Sequence, residues 1–229
     1  MGAARPTPTR LSTPRPRTAI GTAARWLAVP ALVALGMAVV PGATAQVEVP
    51  ALPQPVPVAV DAKTTAYLVL DLTSIVCAPR PSCRATLPAA AALLAKARGA
   101  GALVVYSETP TAGSTILAEV APAAGDLKVT TRADKFYGTT LDEILKSKGI
   151  KTCIIVGTAA NGSVLYTAFG ANLRGYTVVV AADGISADPF PLLYTQYQML
   201  NAPGFANPKN LPLAEAKVTL SRSDLITFR

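Results

Sequence analysis

The chain has 229 residues with 21 Lys plus Arg, 13 Asp plus Glu, no histidine and three cysteines. Without histidine there is no Ser-His-Asp triad, no Cys-His dyad and no His-ligated metal site, and at 51% apolar and 15% charged residues the chain is too hydrophobic for a disordered protein. The net charge of +8 is uneven: residues 1–45 hold five arginines and no acid, leaving 16 basic against 13 acidic groups, about +3, for the rest. Those charges are interspersed rather than gathered into a stripe, which argues against a nucleic-acid partner.

In chain order, a basic segment ending at Arg25 precedes an apolar run from Trp26 to Val40, the breaker Pro41-Gly42 and the small-residue triplet Ala43-Thr44-Ala45. That order is expected of a secretory signal peptide over 1–45, cleaved before Gln46. The run of about 15 residues is short of the roughly 20 that span a bilayer, so the expected membrane contact is through this segment only. Export to a bacterial periplasm or the exterior follows. Residues 46–60 carry Pro50, Pro53, Pro55 and Pro57, a spacing that favours an extended tether, so one folded domain is expected over 61–229.

Within that domain, apolar β-rich runs alternate with helical patterns. Tyr67–Leu70 reads as a buried strand ending at Asp71, and Leu87–Arg98 as a helix leading to the strand Ala102–Tyr106. Leu127–Thr131 is a shorter strand. Thr140 and Glu143 form a capping-box pattern before a helix that Gly149 ends. Thr152–Val156 is the next strand, Val164–Ala171 a helix, and Tyr176–Ala182 a strand reaching Asp183. A helix near Leu192–Leu200 and a last β pattern over Lys217–Phe228 complete the chain. Apolar strands separated by single helices predict a three-layer α/β/α domain on a mostly parallel sheet of about six strands, with ligands bound beyond the strands' carboxyl ends.

Residues just after the strands are therefore the informative ones. Asp71 follows a buried strand, where a partly desolvated carboxylate serves either as a general base or as a turn cap. Gly157-Thr-Ala-Ala-Asn161-Gly162-Ser163 opens a helix after another strand, so its amides suit an oxyanion, and Ser163 is either a cap or a nucleophile. Between them, Lys128, Arg132 and Lys135 are candidate cations. Cys153, inside a strand, reads as a core residue. Cys77 and Cys83 bracket a short proline-containing loop, and in an exported chain they are expected to bond.

Leu68-Val-Leu-Asp71, Asp134-Lys135-Phe136 with Thr139-Thr140-Leu141, Gly149-Ile150, Val156–Ser163, Arg174-Gly175-Tyr176 and Asp183-Gly184, in this order, resemble the isochorismatase-like (cysteine hydrolase) superfamily over about residues 64–205. The resemblance implies a six-stranded sheet and an Asp, Lys, Cys triad that hydrolyses amides. It puts Asp71 in the aspartate position and Ser163 where the family's cysteine opens its helix. Lys135 is the first choice for the lysine, although the family's usual register falls near Thr131 or Arg132, and Arg132 and Lys128 remain alternatives. The missing histidines remove the metal site of the nicotinamidase branch, and no cofactor is implied. Members similar to isochorismatase hydrolyse an enol ether through the aspartate without the thiol. Two functions stand open: hydrolysis of a small amide or enol ether with Asp71 as acid/base, or a non-catalytic small-molecule-binding or scaffold role on the same fold. The resemblance also implies a homo-oligomer.

Overall fold

The computed structural model describes residues 50–229. The expected signal segment, 1–45, and the start of the expected tether lie outside the described residues.

The described chain runs through β1 (Val58–Val60), β2 (Thr65–Leu70), the single-turn α1 (Pro81–Arg84), α2 (Leu87–Gly99), β3 (Leu103–Glu108), β4 (Leu127–Thr130), α3 (Leu141–Ser147), β5 (Thr152–Thr158), α4 (Leu165–Leu173), β6 (Thr177–Ser186), α5 (Pro189–Asn201), β7 (Val218–Ser221) and β8 (Ile226–Phe228). Six strands form one sheet in the order β4-β3-β2-β5-β6-β7, and every neighbouring pair in it is parallel. Successive side chains of a strand point to opposite faces, and β2 shows what that requires. Ala66, Leu68 and Leu70 pack with Leu141 and Leu145 of α3, Ala168 and Ala171 of α4, and Met199 and Leu200 of α5. Tyr67 and Val69 face Ala90, Leu93, Leu94 and Ala97 of α2 on the other side. Both faces are covered, so all six residues of β2 are buried, and each fully buried Leu, Ile or Val contributes about 2 kcal/mol. Tyr67 meets the polar demand of this packing by donating its hydroxyl to the Ala90 carbonyl at 2.8 Å.

The chain starts at the middle of the sheet, works outward through β3 and β4, then returns to add β5 beside β2. Strand order thus reverses between β2 and β5, and the crevice beyond their carboxyl ends is where such sheets bind ligands.

Three details depart from the sequence reading. The described part of the proline-rich segment, 50–60, is docked rather than a free tether. Val56 donates its N–H to the Leu220 carbonyl, Ser221 donates its hydroxyl to the Val56 carbonyl, and β1 pairs in parallel with β8 in a two-stranded sheet of its own. Burying Val58 and Val60 against the α2 face explains why the folded body begins before Asp61. The last β pattern is two strands, because Ser223 turns the chain by giving both its N–H and its hydroxyl to the Asp183 carboxylate. The capping box at Thr140 does not form: Thr140 makes no side-chain cap bond, and the hydroxyl of Thr139 accepts the Leu141 N–H instead.

Candidate active site at the switch point

Asp71 is the first residue past β2 and adopts a left-handed backbone with φ 56°, a region that Asp tolerates better than most side chains. Its N–H donates to the Ser107 carbonyl at 3.1 Å, and its carboxylate stays inside the protein, 1% exposed. The neighbouring strand makes room for this turn through one glycine. Gly157 faces Leu70 in register, has φ +135°, and a Cβ built on it would stand 2.0 Å from the Leu70 carbonyl oxygen. No other residue type fits there.

Ser163 lies in Ala160–Val164, a wide π-type turn that leads into α4, with Gly162 at φ −123°, ψ −109° in its middle. The preceding Thr158–Ala159 peptide is cis. Ser163 is 8% exposed.

Lys135 comes from the loop between β4 and α3, and the Asp134-Lys135-Phe136 motif is explained residue by residue. The Lys135 N–H donates to Thr167 Oγ1 of α4 at 3.1 Å, and Thr139 donates its hydroxyl to the Lys135 carbonyl at 2.6 Å. Asp134 accepts the Phe136 N–H at 3.0 Å and nests against Gly170 of α4, where a Cβ would come within 2.7 Å of its carboxylate. Phe136 stacks on Tyr176 with ring centroids 6.1 Å apart and is roofed by the Arg174 guanidinium at 4.6 Å. This clamp drives the lysine inward, and its side chain is 0% exposed.

The three side chains meet at one carboxylate. Asp71 Oδ2 accepts from the Ser163 hydroxyl at 2.5 Å and lies 2.8 Å from Lys135 Nζ. Asp71 Oδ1 accepts from the Ser107 hydroxyl at 3.0 Å. Lys135 Nζ also donates to the carbonyls of Thr131 at 3.1 Å and Arg132 at 2.6 Å, so all three ammonium donors are used. Burial pulls the Lys135 pKa below the usual lysine value, and the adjacent Asp71 only partly offsets that. The proton on this lysine is held less tightly than on a surface lysine.

The structure does not bring the alternative cations to Asp71. Lys128 pairs with Glu108 at 2.5 Å, and Arg132 contributes its backbone carbonyl while its side chain is exposed. Cys153 is the second residue of β5, at the strand's far end from the site, and burial pushes its thiol up to about 12. Cys77 and Cys83 are bonded, with S–S 2.01 Å, in the loop that follows Asp71. Among the described residues no three of His, Cys, Asp and Glu gather into a metal cage.

Two participants escaped the sequence reading. Ser107 is a hydroxyl closing the apolar run Leu103–Tyr106, and Thr167 stands four residues after Ser163, on the same helical face. The polar residue ending a buried strand was the available signal for the first, and i,i+4 spacing for the second.

A secreted isochorismatase effector, Isc1, of the fungus Verticillium dahliae is 33% identical over 119 residues, which are 47% of this chain and 63% of that protein, so the chain spans less than two thirds of that relative's length. Among solved structures, N-carbamoylsarcosine amidase from Thermoplasma acidophilum superposes with a TM-score of 0.57 at 25% identity, covering 70% of this chain and 97% of that one. A cysteine hydrolase from Pseudomonas syringae pv. phaseolicola shares the fold, with a TM-score of 0.61 at 18% identity, covering 76% of this chain and 94% of that one. The isochorismatase domain model matches residues 65–199, from the first residue of β2 into α5. That span holds Asp71, Lys135 and Ser163 and well over half of the sequence, and the chain belongs to the isochorismatase family.

Proposed function

We propose that this chain hydrolyses the enol-ether bond of an isochorismate-like acid, with Asp71 as the acid/base. The observation that carries this reading is the single oxygen, Asp71 Oδ2, held between the Lys135 ammonium and the Ser163 alcohol. An alcohol with no histidine in the chain is a poor nucleophile for an amide. A buried carboxylate beside an ammonium of weakened proton affinity is, in contrast, suited to deliver a proton.

In the proposed sequence the proton passes from Lys135 to Asp71 and from Asp71 to the terminal methylene carbon of the enol ether. The C=C electron pair forms the new C–H bond, and the ether oxygen shares a lone pair to give an oxocarbenium ion. Water adds to the oxygen-bearing carbon of that ion and its proton returns to the Asp71–Lys135 pair; the resulting hemiketal breaks its C–O bond to the ring, the departing oxygen taking the hydroxyl proton, to release a ketone and the ring alcohol. Ser163 and Ser107 hold the carboxylate in place. The test is incubation of the purified protein with isochorismate, following pyruvate release, beside a panel of small amides. Pyruvate release that Asp71→Asn removes supports the reading. Amide hydrolysis with an ester trapped on Ser163 overturns it.

We also propose that the protein is exported and that the mature chain begins near Gln46. The Cys77–Cys83 bond, characteristic of oxidising compartments, and a relative described as secreted support this. N-terminal sequencing of secreted material that started at Met1 or Gly2 would refute it.

A further inference from the structure

A cavity of about 110 Å³ opens at the carboxyl ends of β5 and β6, with Arg80, Ser82, Asn161 and Asp188 among its lining residues. Its floor includes Thr158 and Ser186, which pair in register as the last residues of β5 and β6. Arg80 and Ser82 of its lining come from the Cys77–Cys83 loop that follows Asp71, and Asn161 from the turn that contains Ser163, two positions before that serine. The cavity therefore lies at the same carboxyl edge of the sheet as Asp71, with Asn161 two positions from Ser163 along the chain.

Its charges are unspent. Arg80 and Asp188 line it together, yet no ion pair joins them. Arg80, an exposed residue, donates from Nη1 to the Val76 carbonyl of its own loop, which leaves most of its five-donor fork for a planar acceptor. Asp188, also exposed, occupies the N-cap position of α5 but makes no side-chain capping bond, so its carboxylate is free to accept from a ligand. The Cys77–Cys83 bond and Pro79 and Pro81 stiffen the loop that carries Arg80, which reduces the ordering entropy a ligand must overcome.

We propose that this cavity is the substrate's recognition subsite, in which Arg80 binds a carboxylate and Asp188 accepts a hydrogen bond from a hydroxyl of the same small molecule. The ligand class is a hydroxylated carboxylic acid, and the volume suits its carboxylate-bearing arm. The assignment of that acid as the reacting substrate rests on the enol-ether reading above, whereas the recognition chemistry does not.

The experiment compares wild type with Arg80→Ala, Arg80→Lys, Asp188→Asn and the control Arg84→Ala, an arginine that ends α1 just past that loop and does not line the cavity. Steady-state hydrolysis of isochorismate is measured together with calorimetric binding of isochorismate to the same proteins carrying Asp71→Asn. Loss of a charge-assisted bidentate contact is expected to raise KM about tenfold or more with kcat changed less than about twofold. Asp188→Asn should give a smaller KM rise, Arg80→Lys a partial rescue, and Arg84→Ala no change. If wild type hydrolyses isochorismate and Arg80→Ala leaves KM intact, the subsite is refuted and the hydrolase reading survives. If no protein turns it over but binding is lost with Arg80, the subsite holds and the hydrolase reading falls. Absence of Arg80-dependent binding and turnover alike refutes the subsite.

Discussion

Ser163 gives its hydroxyl hydrogen bond to Asp71 Oδ2 across 2.5 Å, the same oxygen that Lys135 Nζ reaches at 2.8 Å. An alcohol placed there shares the carboxylate with an ammonium whose own proton burial makes easier to lose. In the proposed reaction a proton moves between Lys135, Asp71 and substrate, and no alkoxide forms at Ser163.

Asp71→Asn is accordingly expected to lower kcat for enol-ether hydrolysis by about 10²- to 10⁴-fold, the usual worth of a positioned acid/base. Ser163→Ala should retain most of the rate, because it removes one of the three donors to the carboxylate and not the proton carrier. Pyruvate-release kinetics on both variants, with far-UV circular dichroism to check folding, decides between this order of effects and its reverse.

The alkaline limb of the kcat profile should fall below pH 10.5, the ordinary lysine value, because burial makes the Lys135 proton easier to lose. The sign is fixed: as pH rises through the lowered pKa, Lys135 becomes neutral, the proton source is lost and the rate drops. A limb at or above the ordinary lysine value would contradict the assignment of Lys135 to that step.

Lys135→Met leaves Asp71 buried and without its counter-charge. Breaking one side of such a pair is expected to destabilise the fold by about 3–5 kcal/mol, read as a lower urea midpoint. The double variant Asp71→Asn/Lys135→Met should recover much of that loss, since no unpaired charge remains. A cycle in which the two effects simply add would show that the pair is not coupled.

Gly157→Ala tests the close approach beneath Asp71. The added methyl would lie 2.0 Å from the Leu70 carbonyl oxygen, so the strands must separate, at about 3 kcal/mol or more of stability. Gly175→Ala is the useful comparison: its φ is also positive but nothing lies within 4 Å of a Cβ there, so it carries backbone strain of only about 1–2 kcal/mol. Thermal melts of the two variants should differ accordingly.

Replacing Cys77 and Cys83 with serine opens a loop of sequence separation 6. Chain-entropy reasoning for so short a loop gives a loss of about 2 kcal/mol, measurable by urea unfolding with and without reductant. Mass spectrometry of native protein under non-reducing conditions should find Cys153 as the one thiol and that one buried.

The layers of this protein were legible in its sequence because they rest on local rules. Runs such as Tyr67–Leu70 and Thr152–Val156, apolar on both faces, can only be central strands of a covered sheet, and the residues that end them mark the carboxyl edge where chemistry gathers. Asp71, Lys135 and Ser163 could be singled out from those ends and from a family resemblance. What sequence spacing could not supply is which cation reaches Asp71, since Lys128, Arg132 and Lys135 lie within eight positions of one another. That was decided by α4, where Thr167 and Gly170 accept the Lys135 loop, while β4 lies beside β3 and takes Lys128 to Glu108. Ser107 joins the site only because β3 lies beside β2, 36 residues away in sequence. The proline-rich 46–60 segment likewise reads as a tether until Val58 and Val60 find an apolar face to cover, next to a strand that lies at the other end of the chain. Contacts between residues far apart in sequence depend on which surfaces the packed layers leave beside one another, and local periodicity carries no record of that.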